Sequence, residues 1–146
     1  MLSIKDRSLA LFRNGYNCAQ SVLLPFAEIM DADLQAMEKL SLGFGGGMGR
    51  LQKTCGAVTG AFMVISLYCS TLDKEVQGQE SRRLIQEFHV QFIAIHKVSD
   101  CRSLLGSDLN TEEGLEYVAE QKLSEFICEQ CIKDSVNILI NIMRDL

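Results

Sequence analysis

The 146-residue chain, 47% apolar and 23% charged, has the proportions of one globular domain that buries its own core. Its formal net charge of −5 argues against a basic face that would neutralise nucleic-acid phosphates, and Arg82-Arg83 and Lys97 read as solvated helix residues. The opening stretch MLSIKDRSLALFRNG carries charges within its apolar run and reads as neither signal peptide nor anchor. The longest apolar stretch, Gly60 to Leu67, falls far short of the ~20 residues of a membrane span.

Apolar residues recur at spacings of three and four, the helical period. Residues 3 to 13 predict a first helix, with Gly15 as its stop. Asn17 caps a second from Cys18 to Met30, which Pro25 is expected to bend or interrupt. A third begins near Asp31 or Asp33 and stops before Gly43. The run GFGGGMGR, residues 43 to 50, suits no regular element. Thr54 is the expected cap of a fourth helix reaching about Thr71. Residues 77 to 98 form a long amphipathic helix with Leu84, Ile85, Phe88, Phe92, Ile95 and Val98 inward. A short turn covers Cys101 to Leu105. Asn110 or Thr111 opens the next helix, whose first turn holds Glu112 and Glu113. The last spans about Cys131 to Met143. The fold expected is an all-α, single-domain helical bundle with a glycine-rich loop.

Six cysteines in a chain assigned to a reducing cytoplasm point to metal binding or catalysis rather than a disulfide framework. Cys18 follows Asn17, Cys55 follows Thr54 and Cys101 follows Ser99-Asp100, so each falls in the first turn of a predicted helix. Cys131 opens the last predicted helix, although Glu129-Gln130 is a poorer cap and the helix could begin earlier. A first-turn thiol sits near the positive end of the helix dipole and near unpaired amides, which favour the thiolate. Four such starts converging on one pocket is the central expectation. Buried packing is the alternative for any one of them.

Cys69 lies fourteen residues beyond Cys55 on the same predicted helix, about 21 Å away at ~1.5 Å per residue, and is assigned to the core. Cys128 forms a CxxC pair with Cys131 and is kept as an auxiliary metal candidate, with packing as its main role.

Gly43, Gly45, Gly46, Gly47 and Gly49 leave backbone amides open to an anion or a cofactor. Their spacing matches neither a phosphate loop nor a dinucleotide fingerprint, so no nucleotide is expected. Gly56 and Gly60 share a helix face, where packing is the first reading and cofactor access the second. His89 and His96 are seven residues apart on the long helix, ~10 Å, too far to share one metal. They read as surface or satisfied histidines.

With these residues in hand, the chain resembles a redox-active family defined by four cysteines and a CGAxxG motif, here Cys55-Gly56-Ala57-Val58-Thr59-Gly60. GYNCAQSVL resembles the family's first cysteine segment, GFGGGMGR its glycine loop, CRSLLGSDLNTEEG its third segment and CIKDSVNILINIM its last. Ile132 stands where the family often has Pro. The resemblance assigns Cys18, Cys55, Cys101 and Cys131 as the four and leaves Cys69 and Cys128 outside the pattern. It implies redox or transport partners. Some members are similar to the cluster-bearing part of split-Soret cytochromes, which implies an iron–sulfur site. No CxxCH motif is present, so haem is not implied.

The leading expectation is therefore that Cys18, Cys55, Cys101 and Cys131 bind an iron–sulfur cluster, or another thiophilic metal such as zinc or copper, for electron transfer. Gly45, Gly46, Gly47, Gly49, Gly56 and Gly60 are the candidates for cofactor contact. The alternatives are a thiol–disulfide oxidoreductase in which Cys55 attacks and a neighbouring cysteine resolves, and a metal carrier or interaction module for a transporter or redox enzyme. The GxxxG face or the long helix offers a surface for a homodimer.

Overall fold

The computed structural model describes residues 2–144. Among them the chain is all-α, and its one β-type contact is an isolated antiparallel bridge between Thr54 and Asp100. Helix α1, Ile4–Arg13, starts where the Ser3 hydroxyl accepts from the Asp6 amide. Helix α2, Cys18–Ile29, starts at a capping box in which the Asn17 side chain accepts from the Gln20 amide and the Gln20 side chain accepts from the Asn17 amide. Pro25 lies inside α2 and does not end it. One lost amide bond is outweighed there by the burial of Val22, Leu23, Phe26 and Ala27.

Helix α3, Leu34–Ser41, is capped by Asp33. A 3-10 turn, Leu42–Phe44, leads into the glycine segment. There Gly46, Gly47, Met48, Gly49 and Arg50 all have positive φ, five residues in a row that turn left-handed. L-residues resist this conformation by roughly 1–2 kcal/mol each, which is why glycines dominate the run. A Cβ on Gly47 would stand 2.6 Å from the Gln52 Cα.

Helix α4, Gly56–Cys69, runs through the core, and α2 lies along it. Helix α5, Lys74–His96, packs on α4 and on the last helix. Its inward stripe steps by four through Leu84, Phe88 and Phe92 and continues to His96, whose ring stacks 4.5 Å from that of Phe92. Ile95 falls off that stripe and is 52% exposed, contrary to its expected inward position. The short α6, Cys101–Leu105, is capped by Asp100, and α7, Glu112–Glu120, by Thr111.

A π-helical turn, Ser124–Cys128, runs without a break into α8, Glu129–Ile142, which closes the core against α1, α4 and α5. Cys131 therefore does not open a helix. Its turn is preceded by helical residues, because nothing at Glu129-Gln130 caps or stops the chain.

Candidate functional site: a thiol-lined cavity

The capping box that starts α2 also builds one wall of the site. Asn17 Nδ2 donates to the carbonyls of Ser41 and Leu42, 3.2 and 3.0 Å away, and Gln20 Nε2 donates to that of Glu38 at 3.0 Å. The glycine segment is thereby tied to the turn that presents Cys18.

A second wall forms where the chain passes from the glycine segment into α4. The Cys55 amide donates to the Ser99 carbonyl at 2.8 Å, and the Cys101 amide donates to the Lys53 carbonyl at 2.7 Å. This short antiparallel bridge holds two cysteines, 46 residues apart in sequence, side by side. Cys55 itself occupies the cap position of α4, with extended backbone, and Thr54 belongs to the bridge instead of capping the helix.

Gln52, buried with φ of 56°, locks the α6–α7 connection onto this wall. Its amide nitrogen donates to the Ser107 carbonyl at 2.8 Å and lies 3.8 Å from the Cys101 sulfur, while its oxygen accepts from the Leu109 amide at 2.8 Å. Nothing in its sequence neighbourhood sets Gln52 apart; a glutamine between two basic or apolar segments reads as solvent-facing.

The last wall is the π-helical turn and α8, which bring Cys128 and Cys131. Cys18, Cys55, Cys101, Cys128 and Cys131 all line one cavity of about 280 Å³. Phe12, Leu104, Leu109, Leu115 and Ile127 complete an apolar shell, and Gly46, Gly47, Gly56 and Arg50 also face it. Of the glycines expected near a cofactor, Gly45 packs on Asn17 and Gly60 on Ala19, while Gly49 has open space at its Cβ position. Cys69 is 2% exposed in the core at the far end of α4. All six cysteines are free thiols.

The thiols are electrostatically unequal. Cys55 is held below the ordinary thiol range, first by hydrogen bonding from the Cys131 thiol and then, against the cost of burial, by the amides of Ala57 and Val58. Cys131 is correspondingly pushed far up, by Cys55 first and burial second. Cys18 is also raised well above its usual value, by hydrogen bonding with Cys128 and by burial. Burial pushes Cys101 up to about 11, with the Gln52 amide opposing. The cavity thus favours the thiolate at Cys55 over that at Cys18, Cys101 or Cys131.

Behind Cys131, His96 Nδ1 lies 4.0 Å from its sulfur, and His96 Nε2 is 2.9 Å from an Asp134 carboxylate oxygen. His96 is thus a satisfied histidine, as expected, although one that touches the cavity's thiol set. His89 is exposed.

A donor set of cysteine sulfurs suits soft metals and clusters. Among the described residues, however, no three His, Cys, Asp or Glu side chains are placed so as to hold a metal ion. The donors fit such a group by chemistry and not by placement.

An all-helical frame that gathers thiols from four separate segments defines a cysteine-based redox protein as its class. The family described as "Putative redox-active protein (C_GCAxxG_C_C)" matches residues 16–142, and this chain belongs to it. The description prints Gly before Cys in its motif, where this chain has Cys55-Gly56-Ala57. An uncharacterized protein of Archaeoglobus fulgidus is 24% identical over 150 residues, covering 97% of this chain and 93% of its own length. No solved structure matches the chain. No helix among the described residues is long and apolar enough to cross a membrane.

Proposed function

We propose that this protein performs thiol–disulfide exchange, with Cys55 as the attacking thiolate and Cys131 as the resolving thiol. The observation that carries the reading is the placement of Cys55 at the start of α4 in a cavity lined by four further thiols. The Cys55 thiolate attacks one sulfur of a substrate disulfide, whose S–S bond breaks and releases one thiolate. Cys131 then gives its proton to the released thiolate, which leaves as a thiol, and attacks the Cys55 sulfur of the mixed disulfide, releasing the second substrate sulfur as a thiolate. The substrate gains two electrons, and Cys55 and Cys131 end joined as a disulfide. Cys18 and Cys128 are a second neighbouring pair, in which Cys18 is raised well above its usual value.

The test is oxidation of the reduced protein by a small disulfide, with mass mapping of the products. Loss of two hydrogens in a Cys55–Cys131 peptide pair is expected, abolished by Cys55→Ser and unaffected by Cys69→Ser. Equal effects of the two substitutions would overturn the assignment.

A second reading, an iron–sulfur cluster or another thiophilic metal serving electron transfer, is supported by the five cysteines that line the cavity. Anaerobic purification with iron, sulfide, zinc and copper analysis separates the two: stoichiometric metal favours this one, and colourless, metal-free protein that cycles with a reductant favours exchange. Either chemistry suits a reducing compartment such as the cytoplasm. The family resemblance supports a redox protein or a transporter as partner, and a homodimer remains open to direct measurement of mass in solution.

A further inference from the structure

The thiol cavity is lined mainly by apolar side chains and cysteine sulfurs, with Asn17 and Ser124 as neutral polar residues, and its walls contain no carboxylate among the described residues. Arg50 is the charged side chain that lines it. No carboxylate lies within ion-pair distance of the Arg50 guanidinium among the described residues; Arg7, Arg13 and Arg83 each pair with a glutamate, and of the arginines that do not, Arg50 is the one lining the cavity. An exposed arginine with no carboxylate partner among the described residues, lining a largely apolar chamber of thiols, is a ready partner for a ligand's anion.

The local backbone is built to hold it there. Arg50 has φ of 59°, a conformation L-residues adopt at a cost. Its carbonyl accepts from Asn110 Nδ2 at 2.7 Å. Its stem lies across Gly46, where an added Cβ would come 2.8 Å from the Arg50 Cγ. The left-handed run thus turns Arg50 back over the glycines and toward the cavity, a position an ordinary turn would not give it.

We infer that Arg50 is the substrate-binding residue of the cavity and selects small disulfides that carry a carboxylate or another anionic group near the reacting sulfur. The inference rests on the exchange reading above and goes beyond it by naming the substrate class. Arg50 receives the ligand's anion, the apolar walls of Leu104, Leu109 and Ile127 receive its carbon chain, and the disulfide is left facing Cys55. Exchange itself proceeds with the bond changes already described; Arg50 takes no proton and forms no bond.

Three disulfides of similar size and different charge test it: dithiodipropionate (anionic), hydroxyethyl disulfide (neutral) and cystamine (cationic). The rate of mixed-disulfide formation at Cys55 is measured by mass spectrometry in the full-length protein, and the readout is the anionic-to-neutral rate ratio. The ratio is expected to fall roughly fivefold in Arg50→Gln, as for loss of one solvent-accessible ion pair. It is largely restored in Arg50→Lys, and it falls toward unity in the unsubstituted protein as salt is raised. Arg50→Asn, whose side chain tolerates the left-handed backbone, is expected to match Arg50→Gln and guards against a folding defect in either. The exposed Lys74, at the start of α5 and off the cavity, serves as control: Lys74→Gln leaves the ratio unchanged. A ratio that does not move in Arg50→Gln and Arg50→Asn overturns the inference, including the case in which all three probes slow equally because Arg50 only favours the Cys55 thiolate. Failure of every probe to react at Cys55 overturns the exchange reading and this inference with it.

Discussion

A Cβ placed on Gly56 would stand 2.9 Å from the Cys18 Cβ, so the absent side chain of Gly56 sets how closely the first turns of α2 and α4 approach. One turn later, a Cβ on Gly60 would meet the Ala19 carbonyl oxygen at 2.6 Å. The GxxxG step is therefore a packing device, and what it packs together is the pair of helix starts bearing Cys18 and Cys55. Gly56→Ala and Gly60→Ala are each expected to destabilise the fold by about 1–3 kcal/mol, the usual cost of overpacking. Gly43, with nothing within 4 Å of its Cβ position, is the control, and Gly43→Ala should stay within ~0.5 kcal/mol. Urea unfolding of the three variants decides the point. Equal stabilities would mean that the two helices can separate without loss.

The unequal thiols predict an order of alkylation. Iodoacetamide should modify Cys55 first, at pH values below the ordinary thiol value of 9.0, because Cys131 and the Ala57 and Val58 amides favour its thiolate. Cys101, at about 11, should follow only in strongly alkaline solution. Peptide mapping against pH reads both.

Stability depends on pH with opposite signs at the two sites. The lowered Cys55 contributes stability that is present above the unfolded value and lost as pH falls through its folded value. The raised Cys101 contributes stability that is present below 9.0 and lost as pH climbs toward about 11, and Cys18 and Cys131 act in the same sense. Urea midpoints should therefore decline above pH 9.0, less steeply in Cys101→Ala. A flat profile across that window would mean these thiols ionise as freely in the fold as outside it.

The helices were legible because their start signals are local: Asn17, Asp33, Asp100 and Thr111 each cap the helix that follows, in sequence order. Cys18 and Cys101 inherit first-turn positions from two of these caps. Cys131 does not, since continuity from Ser124 into α8 leaves no local mark. The CxxC spacing ranks Cys128 only as auxiliary to Cys131, because spacing alone cannot say that both residues face one chamber. The bridge between Thr54 and Asp100, the role of Gln52 and the contact of His96 with Cys131 join residues 35 or more positions apart. Periodicity and capping carry no information about such pairs, which tertiary packing decides.

Gln52 is the clearest case. Gln52→Leu keeps the volume and leaves the Ser107 carbonyl and Leu109 amide without their partner. The expected cost is about 2–4 kcal/mol, from two buried groups each left unsatisfied. The same change removes the amide that opposes burial at Cys101, so alkylation of Cys101 should move to still higher pH. Wild-type stability together with an unmoved Cys101 profile would show that Gln52 is only a filler of space.

His96 and Asp134 pair across α5 and α8, with side chains only 12% and 15% exposed. A hydrogen bond so shielded from solvent is coupled more strongly than one at the surface, and truncating one partner leaves the other buried and unsatisfied. A double-mutant cycle of His96→Ala and Asp134→Ala should therefore give a coupling energy of at least ~1 kcal/mol. His96→Ala alone should be the costlier single change, because it also removes the ring stacked on Phe92. Since His96 Nδ1 faces the Cys131 sulfur, His96→Ala should in addition slow closure of the Cys55–Cys131 disulfide from a trapped mixed disulfide, while formation of that mixed disulfide at Cys55 proceeds as before. Stopped mixtures analysed by mass separate the two steps. Equal slowing of both would place His96 in support of the whole cavity rather than of Cys131.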